Sequence, residues 1–400
     1  MMRNILRVIA LSLLVSIPFV ILTSLSNAQV ARDQNSDTTT MQAAPTEKTV
    51  EQVFRNIKVL NGMPQSKIYP AMRFMAASLG FQCGSCHVIK NGFIDSPADD
   101  KPEKQTARRM IKMVAEINET LGEGDPMVSC YTCHRGQRSP LGVPTLPLVL
   151  PAPRQPSEGT PSPSTLPSVD EVLNKYLAAI GGKTAADLIK NCVVKGTTTT
   201  YAGQVVAYES EQSAPDKGHE SFAIQHVTGR NCAGDSRCEY ERVVNGQQGW
   251  LKSGQGVQDL TGEQLGDQKL SFPLFGILRL RDQYSNFRVS GRDKIDDRDA
   301  YVVSAVRSDN KPERLYFDVE NGLLIRRIGY TRTLIGTIPQ QTEFEDYREV
   351  EGLRLPFTIK MAFTDPGSLA IIRKFTEIKL NVPIDESKFN KPLPGTAPTR

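Results

Sequence analysis

The 400-residue sequence predicts a multidomain protein with a small α-helical domain, a proline-rich linker and an α+β domain built on a curved antiparallel sheet (half-barrel). Three observations predict this. Apolar residues recur at helical spacing over residues 49–139, nine prolines fall within residues 140–168, and strand patterns separated by turns fill residues 169–400. We take these three ranges as the domain boundaries.

The amino terminus has the pattern of a secretory signal peptide over residues 1–28. Arg3 and Arg7 precede an apolar run over residues 8–25, and small residues follow at Ser26-Asn27-Ala28. If it stayed uncleaved, the run at 8–25 would serve as a membrane anchor. Residues 29–48 are polar and predict a disordered segment. Either outcome places the protein in the periplasm or on the periplasmic face of the cytoplasmic membrane.

Composition excludes one class of partner. The formal net charge is only +4, and 23% of residues are charged. A nucleic-acid-binding protein needs a dense basic surface to neutralise phosphates, so we expect no nucleic-acid partner.

Three helices are predicted in the first domain. One starts at Thr49, carries Val53, Phe54, Ile57 and Leu60 on one face, and ends at Asn61-Gly62. The second runs from Ser66 to Leu79, with Pro70 in its first turn and Gly80 as its stop. The third spans about Lys104 to Leu121, with an apolar stripe at Met110, Met113, Val114, Ile117 and Leu121.

Two Cys-x-x-Cys-His runs, Cys83-Gly84-Ser85-Cys86-His87 and Cys130-Tyr131-Thr132-Cys133-His134, carry the chemistry. This run is the attachment signal for c-type haem. We therefore expect two covalent haems, bonded through Cys83, Cys86, Cys130 and Cys133, with His87 and His134 as axial iron ligands. A redox dithiol would need an α/β context. A zinc site would need its cysteine pairs about 15–20 residues apart, and 43 residues separate these two.

A methionine pair precedes each motif on a predicted helix: Met72 with Met75, and Met110 with Met113. A methionine thioether is a known sixth ligand of haem iron, so one member of each pair is a candidate and the other a packing residue. The alternative is that all four are ordinary core residues. His219 and His226 lie in strand sequence and are expected at the surface.

The first domain resembles the cytochrome subunit of photosynthetic reaction centres. The matching runs are 53–60, 72–75, 107–113, 117–118 and 128–136, together with both cysteine motifs. The resemblance implies that Met72 and Met110 are the distal iron ligands and that Met75 and Met113 pack beside them. Members of that family usually carry four haems. This chain has two motifs, and it has no histidine between Ile117 and Ser129 where the family has one.

That resemblance implies a periplasmic electron carrier, not an enzyme. Its expected partners are redox proteins: a photosynthetic reaction centre, whose photo-oxidised donor it would re-reduce, or a membrane respiratory complex. The enzymatic alternative is a dihaem peroxidase, which needs an iron with an open position.

The remaining cysteines lie beyond the linker. Cys232 and Cys238 flank a short loop and are candidates for a disulfide in an oxidising compartment. Cys192 is expected to be a buried apolar residue.

Strand patterns dominate the last domain, and Asn321-Gly322 between two of them predicts a two-residue hairpin turn. The runs 318–327 and 344–350, with Leu355-Pro356-Phe357, resemble periplasmic lipoprotein-carrier half-barrels. That resemblance implies a curved sheet around an apolar cavity. Two alternatives stay open: a docking domain with a filled core, or an amphiphile-binding module that holds lipid and has the haem domain attached.

Overall fold

The computed structural model describes residues 47–90, 93–122, 126–140, 166–200, 203–225, 237–253, 256–269, 272–362 and 370–392. The predicted signal peptide, nearly all of the predicted disordered segment, the body of the linker, Cys232 and His226 lie outside these ranges. Within them, no helix has both the length and the apolar character needed to span a bilayer.

The first part of the chain is mainly helical. Its helices are α1 (Val50–Val53), α2 (Ile68–Leu79), α3 (Cys83–Cys86), α4 (Pro102–Leu121) and α5 (Cys130–His134). A 3-10 turn (Gln65–Lys67) leads into α2, and the short strands β1 (Val88–Lys90) and β2 (Phe93–Asp95) pair antiparallel between α3 and α4.

Two of the three predicted helices are confirmed. Helix α2 ends at Gly80, whose φ of 65° is the left-handed conformation that glycine adopts without strain. Helix α4 begins with Pro102 in its first turn, where the missing N–H costs no hydrogen bond.

The predicted helix over residues 49–62 is wrong. Helix α1 stops at Val53, and both Asn56 and Leu60 have positive φ. The segment folds back instead, because the Val50 N–H donates to the Met63 carbonyl at 2.8 Å. Of the four apolar residues, Leu60 is buried, Phe54 and Ile57 are half-buried, and Val53 is exposed, so they do not form one helix face.

The last part of the chain forms a long antiparallel sheet that is curved like a half-barrel. Its strands are β3 (Asn191–Thr199), β4 (Val205–Ser213), β5 (Lys217–Gln225), β6 (Arg237–Asn245), β7 (Gln248–Ser253), β8 (Gly256–Asp259), β9 (Tyr284–Ile295), β10 (Arg298–Arg307), β11 (Pro312–Asp318), β12 (Leu324–Thr333), β13 (Gly336–Val350), β14 (Leu353–Ala362) and β15 (Ile371–Leu380).

Two meanders make up this sheet. Strands β3 to β8 follow one another to one edge, β9 to β15 come from the other edge, and β15 pairs with β3 to join them. Five helices accompany the sheet: α6 (Val169–Ala179), α7 (Lys183–Asp187), α8 (Gly262–Lys269), α9 (Pro273–Leu278) and α10 (Leu280–Gln283). The curved antiparallel sheet is therefore confirmed.

Helix α6 packs into the main core. Tyr176 is 1% exposed, and its hydroxyl donates to the Ile277 carbonyl at 2.6 Å. Side chains from β11 and β13, including Phe317 and Phe344, complete the same cluster. Cys192 on β3 is also buried there, as predicted, and burial raises the pKa of its thiol to about 12.

The sequence patterns missed β8 and β9, and they missed helices α8 to α10. The expectation that His219 is a surface residue is also wrong: on β5 it is 9% exposed. It is buried because the chain after β15 crosses β5–β7, where Phe389 packs with Val243 and Trp250. The prediction of an exposed His219 used only the neighbouring residues of its strand, so it could not include the chain after β15, which is far away in sequence.

Candidate cofactor-binding site

Each cysteine motif occupies a single helical turn. Cys83 and Cys86 are the first and last residues of α3, and Cys130 and Cys133 lie on α5. All four thiols are free, and a three-residue step puts both members of a pair on one side of the turn. The local geometry is therefore suited to two thioether bonds with one planar group.

His134 is held by an orienting hydrogen bond. Its Nδ1 lies 3.0 Å from the Gln137 carbonyl oxygen. A carbonyl only accepts, so Nδ1 carries a proton, and in the neutral ring Nε2 then has the lone pair that can bind a metal. The ring is thus in the tautomer that an axial ligand requires.

His87 directly follows α3 and is half-buried. Its Nδ1 is buried without a hydrogen-bond partner among the described residues. Burial lowers the pKa of this histidine, and the nearby Lys104 ammonium lowers it further. Both effects favour the neutral imidazole, which is the form that binds iron.

The thiols of Cys86 and Cys130 differ in pKa from those of redox-active cysteines. Burial raises the pKa of Cys130, and burial together with the Glu103 carboxylate raises the pKa of Cys86. Dithiol oxidoreductases instead lower a cysteine pKa to stabilise the thiolate. No group of three or more His, Cys, Asp or Glu side chains is arranged for a metal ion in the part of the chain that the structure describes.

An apolar cavity of about 280 Å³ lies between helices α2, α4 and the two motifs. This volume is close to the lower end of small-molecule sites, which begin at ~300 Å³. Residues from both motifs and three methionines share its wall: Met75, Cys86, Met110, Met113, Cys130, Cys133 and His134.

Met110 and Met113 leave large apolar surfaces uncovered. Their exposed fractions are 37% and 40%, although both belong to the predicted apolar stripe of α4. The buried residues of that helix are Ile111 and Val114. An apolar group seated in the cavity would cover the two thioethers.

Met72 is placed differently from the other three methionines. It is half-buried and packs against a cluster that includes Phe74 and Ile68, and it is not part of the cavity wall. The structure thus brings Met75, Met110 and Met113 together at the cavity wall and leaves Met72 outside it, although Met72 and Met75 both pack against that cluster.

The two motifs are connected through the end of α2. The Gly136 N–H, two residues after His134, donates to the Ser78 carbonyl at 2.9 Å. A β-carbon on Gly80 would fall well inside van der Waals contact of the Gly136 carbonyl oxygen. Gly80 therefore ends the helix and also permits this close approach, a role that helix-stop reasoning does not reveal.

Asn118 holds the chain that enters the second motif. Its Nδ2 donates to the Val128 carbonyl at 2.8 Å, and its Oδ1 accepts from the Val128 N–H at 2.9 Å. An amide side chain is needed because it both donates and accepts. Asn118 lies within the runs that resemble the cytochrome family, but its contacts could not be read from spacing.

Asp99 ties α4 to the chain before α2. Its carboxylate lies 2.9 Å from Lys58 Nζ, 3.1 Å from Lys104 Nζ and 2.9 Å from Arg108, and it accepts from Asn56 at 2.9 Å. The hydrogen bond from Arg108 and then that from Lys58 hold the pKa of Asp99 well below its usual range. No sequence signal pointed to this cluster.

The sheet part has a much smaller apolar cavity of about 50 Å³, between α8–α10 and the sheet. A cavity of ~150 Å³ is needed to admit a molecule of the size of benzene. This apolar cavity is too small for an amphiphile, and a second, more open and partly polar cavity of about 500 Å³ lies between β4–β7 and the segment after β15.

The sheet part is similar to solved half-barrel structures only at a low level. A LolA superfamily protein from Nitrosomonas europaea aligns with 56% of this chain and 99% of its own, at 15% identity and a TM-score of 0.37. This likeness is too weak to carry a conclusion about the chain.

The helical part has clear sequence relatives. Cytochrome c-554 of Chloroflexus aurantiacus is 33% identical over 85 residues, 20% of this chain and 20% of that protein. The photosynthetic reaction center cytochrome c subunit of Roseobacter denitrificans is 28% identical over 103 residues, 24% of this chain and 28% of that protein. The chain thus spans only between a fifth and somewhat over a quarter of these relatives.

Residues 20–148 match the family model described as the photosynthetic reaction centre cytochrome C subunit. This range includes both cysteine motifs and both methionine pairs. The resemblance predicted from the motifs is therefore confirmed: residues 20–148 are similar to the photosynthetic reaction centre cytochrome c subunit family.

Proposed function

We propose that this protein is a periplasmic electron-transfer cytochrome with two covalently bound c-type haems. Cys83 and Cys86 would attach one haem, and Cys130 and Cys133 the other. The single observation that carries the proposal is the apolar, methionine-lined cavity bordered by both Cys-x-x-Cys-His turns. The relationship of residues 20–148 to the reaction-centre cytochrome family supports it.

The residues present fit such groups. Each pair of free thiols lies on one helical turn, and the hydrogen bond from His134 to Gln137 leaves Nε2 available. The uncovered thioethers of Met110 and Met113 suit the apolar faces of a porphyrin. When bound, each haem supplies an iron that gains and loses one electron.

The protein's own contribution is to hold and tune these groups. His87 and His134 provide the proximal nitrogens, and we propose Met72 and Met110 as the distal thioethers. A methionine ligand raises the reduction potential of haem iron and closes its coordination sphere. A peroxidase needs a position open to peroxide, so a thioether on each iron favours electron transfer over peroxidase chemistry.

The physiological partner follows from the family. We propose that the protein delivers electrons at the periplasmic face of the cytoplasmic membrane, to a photosynthetic reaction centre or to a membrane respiratory complex. The likeness to the reaction-centre subunit supports the first, and the presence of two motifs where that family usually has four leaves room for the second.

The test of the proposal is a haem count on the exported full-length protein. Pyridine haemochrome spectra should give two haems per chain that resist extraction with acidified acetone. The double variant Cys130→Ala with Cys133→Ala should keep one, and Cys192→Ala, a matched change of a buried thiol outside the motifs, should keep two. A colourless protein, or a pigment that is extracted, contradicts the proposal.

A further inference from the structure

The helical part and the sheet part share one hydrophobic cluster. Ile335, at the tip of the β12–β13 hairpin, is fully buried, and Ile338 on β13 is 6% exposed. The other members of the cluster come from the helical part: Val50, Leu60, Met63, Ile68, Ala71, Phe74 and Ile111. Two side chains of the sheet therefore complete the core of the part that carries both cysteine motifs.

The tip of this hairpin has a defined shape. Thr333 and Gly336 form the last pair of the ladder, so the turn itself is Leu334-Ile335. The Thr333 hydroxyl donates to the Gly336 carbonyl at 2.8 Å and accepts from the Ile335 N–H at 3.3 Å. These bonds hold the turn with Ile335 inside the cluster and Leu334 47% exposed.

Gly336 lies directly against the chain that enters the second motif. Its φ is +126°, and a β-carbon there would lie 2.5 Å from the Ser129 β-carbon and 3.6 Å from the Phe74 ring. Lys67 adds a polar contact, because its Nζ donates to the Arg332 carbonyl at 3.0 Å. The hairpin thus touches the start of α2 and the residue that precedes α5.

Ser129 controls the position of α5. Its N–H donates to the Thr132 hydroxyl at 3.0 Å, and the next residue, Cys130, is partly buried against the shared cluster. Helix α5 has only five residues and begins directly after Ser129. A displacement of Ser129 would therefore also move Cys130, Cys133 and His134.

We propose that the β12–β13 hairpin is a positioning element of the second cysteine motif, with Ile335 and Gly336 as its positioning residues. The carboxy-terminal sheet is then a structural part of the second haem site and not an appended module. This inference rests on the proposed function, since it concerns the haem held at Cys130 and Cys133. The first motif, on α3, is not reached by these contacts.

The test compares Gly336→Ala with Gly352→Ala in the full-length protein. Gly336 is the first residue of β13 and Gly352 lies in the β13–β14 turn, both at positive φ, but a β-carbon at Gly352 meets nothing within 4 Å. Both variants carry a backbone cost, at φ +126° for Gly336 and +83° for Gly352, and only Gly336→Ala places a β-carbon against Ser129. The readouts are the haem count and the two midpoint potentials from a spectroelectrochemical titration.

We expect both variants to keep two covalent haems. We expect Gly336→Ala to shift one midpoint potential and Gly352→Ala to leave both midpoint potentials unchanged. The shifted potential must be the one that disappears in Cys130→Ala with Cys133→Ala. An unchanged pair of potentials, or an equal shift of both, overturns the inference while the haem count still supports the proposed function. If Gly336→Ala does not fold, Ile335→Val, which only removes a methyl group, is measured with the same expectations.

Discussion

The two methionine pairs differ in how their members lie relative to the cavity beside the motifs. On α4, Met110 and Met113 both line the cavity beside the motifs. On α2, both Met72 and Met75 pack against the neighbouring cluster, and only Met75 also lines the cavity. The family resemblance implies that Met72 and Met110 are the iron ligands. On α2, however, the methionine that lines the cavity is Met75 and not Met72.

We predict that Met110→Ala and Met72→Ala each lower one midpoint potential by on the order of 100 mV, within the ~0.8 V range that axial ligands cover. The reason is the loss of a thioether that favours the reduced iron. Met113→Ala and Met75→Ala are the matched controls, one turn away on the same helices, and should leave both potentials nearly unchanged. A fall in Met75→Ala with none in Met72→Ala would move the distal ligand of the first motif to Met75.

Asp99 is a single carboxylate that joins two segments through three cations, and we predict that Asp99→Asn lowers the melting temperature. The ionised form is favoured in the folded state, because the pKa of Asp99 is lowered by Arg108 and Lys58. Its stabilising effect is present above the unfolded pKa of ~3.9 and is lost as the pH falls below it. Thermal unfolding should therefore separate variant and parent at pH 7, and the difference should shrink towards pH ~3.

The neighbouring change Asp100→Asn is the control for this prediction. It removes the same charge one residue away, on an exposed side chain. A loss of stability as large as that of Asp99→Asn would show that net charge, and not the cluster around Asp99, is responsible.

At the scale of elements, the contact between the end of α2 and the turn after α5 fixes the position of the two motifs relative to each other. The left-handed Gly80 and the hydrogen bond from Gly136 to Ser78 form this contact. Each motif is on a helix of five residues or fewer, which is too short to be stable alone. The longer helices α2 and α4 must therefore supply their rigidity.

We predict that Gly80→Ala destabilises the protein more than Gly62→Ala. Both residues have similar positive φ, 65° and 79°, so both pay about 1 kcal/mol for a β-carbon in the left-handed region. Only at Gly80 does the new β-carbon also collide with the Gly136 carbonyl. Denaturant unfolding followed by circular dichroism compares the two, and equal losses would mean that the contact relaxes at no cost.

On the scale of the whole molecule, the shared cluster links the stability of the helical part to the sheet. We predict that Ile335→Ala destabilises the helical part by ~2–5 kcal/mol, because it removes a fully buried side chain. Haem absorbance in denaturant reports that part, and Trp250 on β7, the only tryptophan of the sequence, reports the sheet. The haem signal should move to lower denaturant by more than the tryptophan signal.

The exposed neighbour provides the comparison for this prediction. Leu334 is the other residue of the same turn and is 47% exposed, so Leu334→Ala should change either signal little. An equal response of the two variants would show that the hairpin tip does not contribute to the core of the helical part.

The sequence by itself determined the two Cys-x-x-Cys-His motifs, helices α2 and α4, and the curved sheet. These are local patterns of spacing and turn chemistry, in which the deciding neighbours lie within a few residues. It also predicted the hairpin at Asn321-Gly322, but the predicted two-residue turn is wrong, because five residues, 319–323, connect β11 and β12. It failed for residues 49–62, where apolar spacing is helical but the hydrogen bond from Val50 to Met63 closes a turn.

Tertiary structure alone decided the contacts between distant segments. It placed Met75 and not Met72 in the cavity wall, buried His219 beneath the chain after β15, and set Gly336 against Ser129. Ser129 and Gly336 are 207 positions apart (336 − 129), and no periodicity in a chain records which surfaces meet across such a distance. Which apolar faces pack together depends on how the whole chain folds, so it cannot be read from local sequence patterns.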